Sequence, residues 1–350
     1  MIFKPLAIAA AAAIALTGCS TIDYYSHLAG GEYELLSKRQ PIDAVIADPH
    51  TSDKLRERLR LAQQARNFAS DQLKLPRNGS YTLYADVGRP FVMWNVFAAP
   101  EFSLAPVLNC MPIAGCVAYR GFYERQRADE LAASLRAQGY DTYVGGVPAY
   151  STLGWFDDPI LNTMMRWDDD ELDSTIFHEL AHQKLYLKGD TAFDESFATF
   201  VQREGLRQWR ASRGLGANTS HDEQREDQFV QLILDARGRL EKVYANHLAP
   251  DAMREFKQAE FDRLHQNYTQ LRDTQWQGDK SYDAFMNEPM NNARLLPFGL
   301  YHQWVPAFAA LFEQSHRDWE PFYAAVKKLA DEEPDARETA LKALAGAAGA

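Results

Sequence analysis

Apolar positions along this chain change period several times, and each change marks an element. After Ser52, a residue suited to cap a helix, Leu55, Leu59, Ala62, Phe68 and Leu73 recur at helical spacing, and Pro76 with Asn78-Gly79 closes the run. Residues 81–85 and 91–97 are instead aromatic and β-branched around a Gly88-Arg89-Pro90 break, which predicts two strands, and 117–119 adds a short third. A helix at about 124–137, closed by Gly139, leads to a strand at 140–144. The glycine- and aromatic-rich run 145–156 reads as a loop or irregular edge. Helical periodicity returns after Asp168 and runs to about Leu187, with Gly189 as a left-handed terminator. A second helix follows, with Phe193, Phe197, Phe200 and Val201 on one face, and ends at 214–216.

The last third is helical throughout. Ser220 with Glu223 forms a capping box for a charged helix to about His247, and Pro250 opens another to about Thr274. Residues 295–312 and 319–329 read as terminal helices, and the alanine-rich end from Glu338 is expected to fray. Residues 21–50, with Gly30-Gly31 and two prolines, read as a tether with helical stretches at most short, packing onto the domain. The sum is an α+β, helix-dominated chain. One domain is expected over 51–350: a β-containing part at about 80–160, a helix pair at about 169–212 and a helical part at about 220–345.

Composition narrows the classes. The chain has 350 residues, 46% of them hydrophobic, enough for a full core. A formal charge of −11 argues against a nucleic-acid partner and against electrostatic adhesion to anionic lipid. Membrane contact comes by another route. Residues 1–18 read as a signal peptide: Lys4, an apolar run from Pro5 to Leu16, then Leu16-Thr17-Gly18-Cys19. That run is shorter than the roughly 20 residues that span a bilayer. The four residues resemble the lipobox of bacterial lipoproteins, which implies cleavage before Cys19 and its acylation. Ser20, rather than aspartate, implies sorting to the outer membrane, periplasmic side. The alternative is a secretory leader with an incidental cysteine. Cys110 and Cys116, with five residues between them, suit a local disulfide in an oxidising compartment, or else two free buried thiols.

The chemistry is concentrated in His178-Glu179-Leu180-Ala181-His182. Four residues is about one helical turn, so both imidazoles share a face and can hold one metal ion, with Glu179 beside them as general base toward a water. Two histidines, a carboxylate and an open position are the donor set of hydrolytic zinc, which lowers the pKa of a bound water. Glu195 is the third ligand, returned to the site by a turn at Gly189; Glu204 is the alternative, two turns further on. Asp194 either caps its helix or hydrogen-bonds a ligand histidine. Asn291, Asn292 and Tyr301 offer donors for an oxyanion. Tyr150, Ser151 and Thr152, upstream of the metal helix, belong to a segment able to take substrate backbone as an added strand. The acidic run Asp168, Asp169, Asp170, Glu171 and Asp173 suits a helix start better than a calcium loop.

His178-Glu179-Leu180-Ala181-His182 followed by Asp194-Glu195-Ser196-Phe197-Ala198 resembles the gluzincin pattern. Trp94-Asn95-Val96, the segment 115–121, Ala149-Tyr150-Ser151-Thr152 and Asn291-Asn292-Ala293 extend the likeness to the predicted aminopeptidases of bacterial lipoprotein type. That resemblance implies a zincin-like metallopeptidase, Zn2+ as cofactor, and hydrolysis of peptides from a free N-terminus. The Gly-x-Met-Glu-Asn segment that grips the substrate amine in M1 aminopeptidases is absent, and only their place in the aromatic loop offers Asp157 or Asp158 for that role. Two other readings stand beside it. One keeps the chemistry as an endopeptidase or cell-wall peptide hydrolase. The other is a structural lipoprotein with a vestigial zinc site, against which Glu179 argues, because a structural site needs no base.

Overall fold

A computed structural model of the chain describes residues 21–111, 115–149, 151–216, 221–246 and 248–348; the leader, Cys19, Tyr150 and Ser220 lie outside them. Helix α1 (21–37) is followed by β1 (Gln40–Pro41), α2 (Ile42–Ala47), α3 (Asp53–Asp71) and β2 (Leu83–Ala85). Next come β3 (Met93–Pro100), β4 (Asn109–Met111), β5 (Gly115–Val117), β6 (Tyr119–Phe122), α4 (Arg125–Ala137), β7 (Tyr140–Val147) and β8 (Ile160–Leu161). The rest is helical: α5 (Asp169–Lys184), α6 (Thr191–Ser212), α7 (His221–Tyr244), α8 (Pro250–Thr274), α9 (Asp283–Met286), α10 (Asn292–His302), α11 (Val305–Gln314), α12 (Trp319–Ala330) and α13 (Pro334–Ala348). Helices dominate, with small sheets confined to the first half.

The main sheet is antiparallel in the order β6-β3-β7, so β7 is an edge. Its register aligns Tyr119, Phe97 and Tyr143 across one face, and Gly121, Asn95 and Gly145 beside them. Because side chains alternate along a strand, Trp94, Val96 and Phe122 point the other way. There they pack with Ala128 and Ala132 of α4 and Tyr24 of α1. The first face meets Ala293 and Leu296 of α10. A second small sheet, β1-β2-β8, lies against α2 and α3, and β4-β5 form a hairpin joined by the Cys110–Cys116 disulfide.

Helices α5 and α6 form the centre of the largest core, with α3, α11 and α12 around them. Their contacts run in reverse order along the two chains: His182 meets Glu195, Asp173 meets Trp209, and Asp170 meets Arg210. The helices are therefore antiparallel. Gly205 lets α6 approach closely, since a Cβ there would lie 2.8 Å from the Leu73 side chain and 3.0 Å from Phe177.

Five expectations need correction. Residues 21–37 form one continuous helix; Gly31 is buried because a Cβ there would overlap the Tyr123 ring at 2.1 Å, so the glycine is a contact and not a break. Strand β7 runs on through Gly145, Gly146 and Val147, which pair with Asn95, Trp94 and Met93. Helix α5 stops at Lys184, where Leu185 turns extended, and Gly189 (φ 91°) serves the turn before α6 instead. The helix expected over 295–312 is two. The Ser196 hydroxyl accepts from Trp304 N–H and donates to Leu300 C=O, both at 3.1 Å, and so occupies the place of one i→i−4 bond. The C-terminal helix does not fray at Glu338: Leu341 is buried and Arg337 pairs with Asp190 at 3.0 Å.

Candidate metal centre and cleft

The start of α5 is fixed twice. Asp168 accepts from Glu171 N–H at 2.8 Å, and carboxylates fill the first turn, where the helix dipole favours them. Arg58 of α3 donates to the carbonyls of Met165, Trp167 and Asp168. From this anchored start the helix carries His178 and His182 one turn apart onto the face opposite α6. Asp190 caps α6 through Phe193 N–H at 3.1 Å, which places Glu195 in the second turn, level with both histidines.

His178 Nε2 and His182 Nε2 lie 3.2 Å apart, and Glu195 Oε2 lies 3.3 Å and 3.4 Å from them. All three side chains are buried, and they are the group among the described residues able to share an ion. An ion at the centre of a tetrahedral site, with N and O donors at about 2.0–2.1 Å, sets those donors about 3.3–3.4 Å apart. The observed triangle has that edge. Glu195 Oε2 has no hydrogen-bond partner among the described residues, an orphaned buried oxygen that an ion would satisfy. The donor set fits a divalent metal. Burial works to raise the Glu195 carboxyl, but the two imidazoles outweigh it and bring it down to about 2. Glu204 is engaged elsewhere, by Arg207 and Gln208, and takes no part.

A cleft of about 320 Å³ reaches this triangle at His178. His178, Glu179, Gln202 and Thr175 form its helical side, and Tyr301 and Pro297 of α10 close one end. The sheet side is Asn95, Phe97, Tyr143 and the edge from Gly145 to Ala149. Burial pushes the Glu179 carboxyl up to about 7, with His178 opposing and Glu195 reinforcing the shift. Tyr301 stacks on His178, ring centroids 6.0 Å apart and planes 19° from parallel, and burial, then Glu195, drives its hydroxyl well above the usual range.

Other expected residues stand elsewhere. Asp194 accepts from Leu187 N–H at 2.7 Å, so it braces the α5–α6 turn and does not touch a histidine; burial raises it to about 9. Asn291 caps α10 through Arg294 N–H and donates to Thr142 C=O. Asn292 is fully buried, donating to the carbonyls of Pro100, Glu101 and Ser103 and accepting from Tyr244, so it ties α10 to the sheet and faces no cleft. Ser151 and Thr152 hold Asp158, which also accepts from Gln183. With its oxygens so used, Asp158 braces the 151–158 loop and is 3% exposed. Asp157 packs against Gly79. Two residues of the site escaped the sequence reading. Gln202 meets His178 Nδ1 at 3.0 Å; its signal is the seven-residue spacing from Glu195, two turns along one face. Asn95 reaches the cleft from the middle strand, a position only the sheet register reveals.

A family model described as "Putative aminopeptidase" matches residues 23–341. No curated protein and no solved structure matches the chain. The match takes in the sheet, the metal centre and nearly all of the C-terminal helices, and the chain belongs to that aminopeptidase family.

Proposed function

We propose that the protein is a zinc-dependent aminopeptidase with a zincin-like fold, anchored in the outer membrane through acylated Cys19 and facing the periplasm. One observation carries the catalytic half of this reading. A closed triangle of two imidazoles and a carboxylate, 3.2–3.4 Å on each edge, stands beside a buried carboxylate at the end of a cleft. The membrane half is supported by Leu16-Thr17-Gly18-Cys19 and by Ser20.

Zinc bound by His178, His182 and Glu195 supplies a Lewis acid that polarises a carbonyl and makes water acidic at neutral pH. The chain's own groups do the rest. The Glu179 carboxylate takes a proton from the attacking water as its oxygen bonds to the scissile carbon. It then delivers that proton to the departing nitrogen as the C–N bond breaks. The Tyr301 hydroxyl, on the wall of the cleft, donates to the oxyanion. The part of the β7 edge that lines the cleft, from Gly145 to Val147, takes the peptide backbone as a further strand.

A second reading, an endopeptidase or cell-wall peptide hydrolase, is favoured by the engagement of Asp158. The acid expected to grip a substrate amine is spent on Ser151, Thr152 and Gln183. Purified residues 20–350, assayed for bound zinc and offered one peptide both free and N-acetylated, separate the readings. Cleavage of the free peptide alone supports the aminopeptidase, and cleavage of both moves the assignment to an endopeptidase. Bound zinc with no cleavage, and no difference from Glu179→Ala, overturns the enzymatic reading.

A further inference from the structure

Beyond the three donors, α5 and α6 carry a second line of contacts. His178 Nδ1 faces Gln202 Oε1 at 3.0 Å. Gln202 Nε2 donates to Ser174 Oγ at 3.3 Å, and Ser174 Oγ donates to the Glu171 carbonyl at 3.3 Å. The spacing explains the alignment. Ser174 precedes His178 by one turn of α5, Gln202 follows Glu195 by two turns of α6, and the helices are antiparallel.

We propose that Gln202, backed by Ser174, is a positioning residue that fixes the tautomer of His178. The logic is directional. A serine hydroxyl has one proton; directed at the Glu171 carbonyl, which Thr175 Oγ1 also reaches at 2.8 Å, it leaves the oxygen as an acceptor toward Gln202. Gln202 must then present its NH2 to Ser174 and its carbonyl to His178. A carbonyl oxygen only accepts, so His178 carries its proton on Nδ1, and the Nε2 lone pair faces His182 Nε2 and Glu195 Oε2. In the other amide orientation an N–H would face Nδ1 and the proton would move to Nε2, where it blocks the donor triangle. Helix α5 thus sets the orientation of an amide on α6, which in turn sets a nitrogen on α5. The companion histidine has no such support: His182 Nδ1 is buried and has no hydrogen-bond partner among the described residues. Tautomer control therefore enters the site through His178.

This inference rests on the reading that the triangle holds zinc, and the test keeps the two apart. Zinc dissociation constants of the full mature chain, measured by competition with a chromogenic chelator, are compared across variants. Gln202→Leu is expected to weaken zinc binding by about 10–100-fold. Ser174→Ala, which releases the amide to turn, is expected to weaken it by a smaller factor of about 3–10 within the same range of outer-partner effects. Gln202→Glu keeps an acceptor toward Nδ1 and is expected to restore binding to the parent level or tighter. A parent chain that binds no zinc overturns the metal reading itself. A parent that binds, with Gln202→Leu unchanged, overturns the relay alone. If Gln202→Leu folds poorly, Ser174→Ala and Gln202→Glu decide: unchanged affinity in the first, or a loss of about 10-fold or more in the second, counts against tautomer control.

Discussion

The pairs α5–α6 and α7–α8 share a design, two long helices side by side joined by a short connection, yet their interiors differ. Between α7 and α8 the buried residues are Phe229, Ile233, Ala236 and Leu240 on one side, and Met253, Phe261, Leu264 and Tyr268 on the other. Arg239 and Glu260 pair at 2.7 Å at the half-buried margin of these helices. Between and beside α5 and α6 the buried set includes Asp173, His178, Glu179, His182, Asp194 and Glu195. Several of their atoms have no partner among the described residues, among them Asp173 Oδ1, His182 Nδ1, Asp194 Oδ2 and Glu195 Oε2. An unsatisfied buried polar atom costs on the order of 1–3 kcal/mol, so a helix pair built only for stability would carry Leu and Phe at these positions. The α7–α8 pair is apolar inside; the α5–α6 pair, although it sits at the centre of the largest core, gives up stability to hold polar groups away from water.

The comparison breaks most visibly at Glu179. Glu179→Gln should cut turnover by about 10²–10⁴-fold while zinc content stays at the parent level and the thermal midpoint does not fall, because an amide fills the buried site without its charge. A large fall in midpoint instead would show that Glu179 is structural.

Next comes a cavity in the other pair. Leu264 is fully buried, and Leu264→Ala should cost about 2–5 kcal/mol in denaturant unfolding, with zinc bound per folded molecule unchanged. Metal loss in that variant would mean that the two helix pairs unfold as one unit around the site.

Asp173 offers a smaller effect with a definite sign. Burial raises its carboxyl from 3.8 to about 7, so folding favours the protonated acid. For an acid with a raised folded pKa, stability is greatest below the unfolded value, declines as pH rises through the window from about 4 to about 7, and carries the full penalty above it. Asp173→Asn keeps an acceptor for Trp209 Nε1 and removes the titration. It should stabilise by on the order of 1–3 kcal/mol at pH 8 and by almost nothing at pH 4. A gain of equal size at both pH values would assign the effect to packing.

The least effect belongs to surface pairs. Lys327 and Asp331, one turn apart on α12 and 62% exposed each, form an ion pair whose removal by Lys327→Ala should change stability by less than about 0.5 kcal/mol. A change above 1 kcal/mol would contradict the view that stability here is a matter of the apolar interior.

What was legible beforehand follows from range. The metal triangle was readable because its parts are local: two histidines one turn apart and a glutamate after a short turn. Tyr301, named for its phenol alone, stands on the cleft wall and stacks on His178. Gln202 was not found, because its one local signal, two turns along a helix face from Glu195, means little until its partner histidine is in view. Asn292 misled in the opposite sense. Its amide is used by Pro100, Glu101 and Ser103, about 190 residues earlier, and no local pattern announces such a contact. The strands were found, but the inward run of β7 through Gly145 and Gly146 was hidden, since two glycines read as a loop until β3 is laid beside them.

Ser196 has a consequence for how the cleft keeps its width. Its hydroxyl opens the joint between α10 and α11, and Tyr301 sits in the last turn before that joint. The residue before it in the chain is Glu195. One peptide bond therefore joins a member of the donor triangle to the hydroxyl that sets the joint after Tyr301. If α6 slides or rolls under thermal motion, triangle and wall travel together, and the gap between them is preserved. The dimension that matters for holding a small reacting group is thus gauged by one peptide bond and two hydrogen bonds, in addition to the packing of one helix on another.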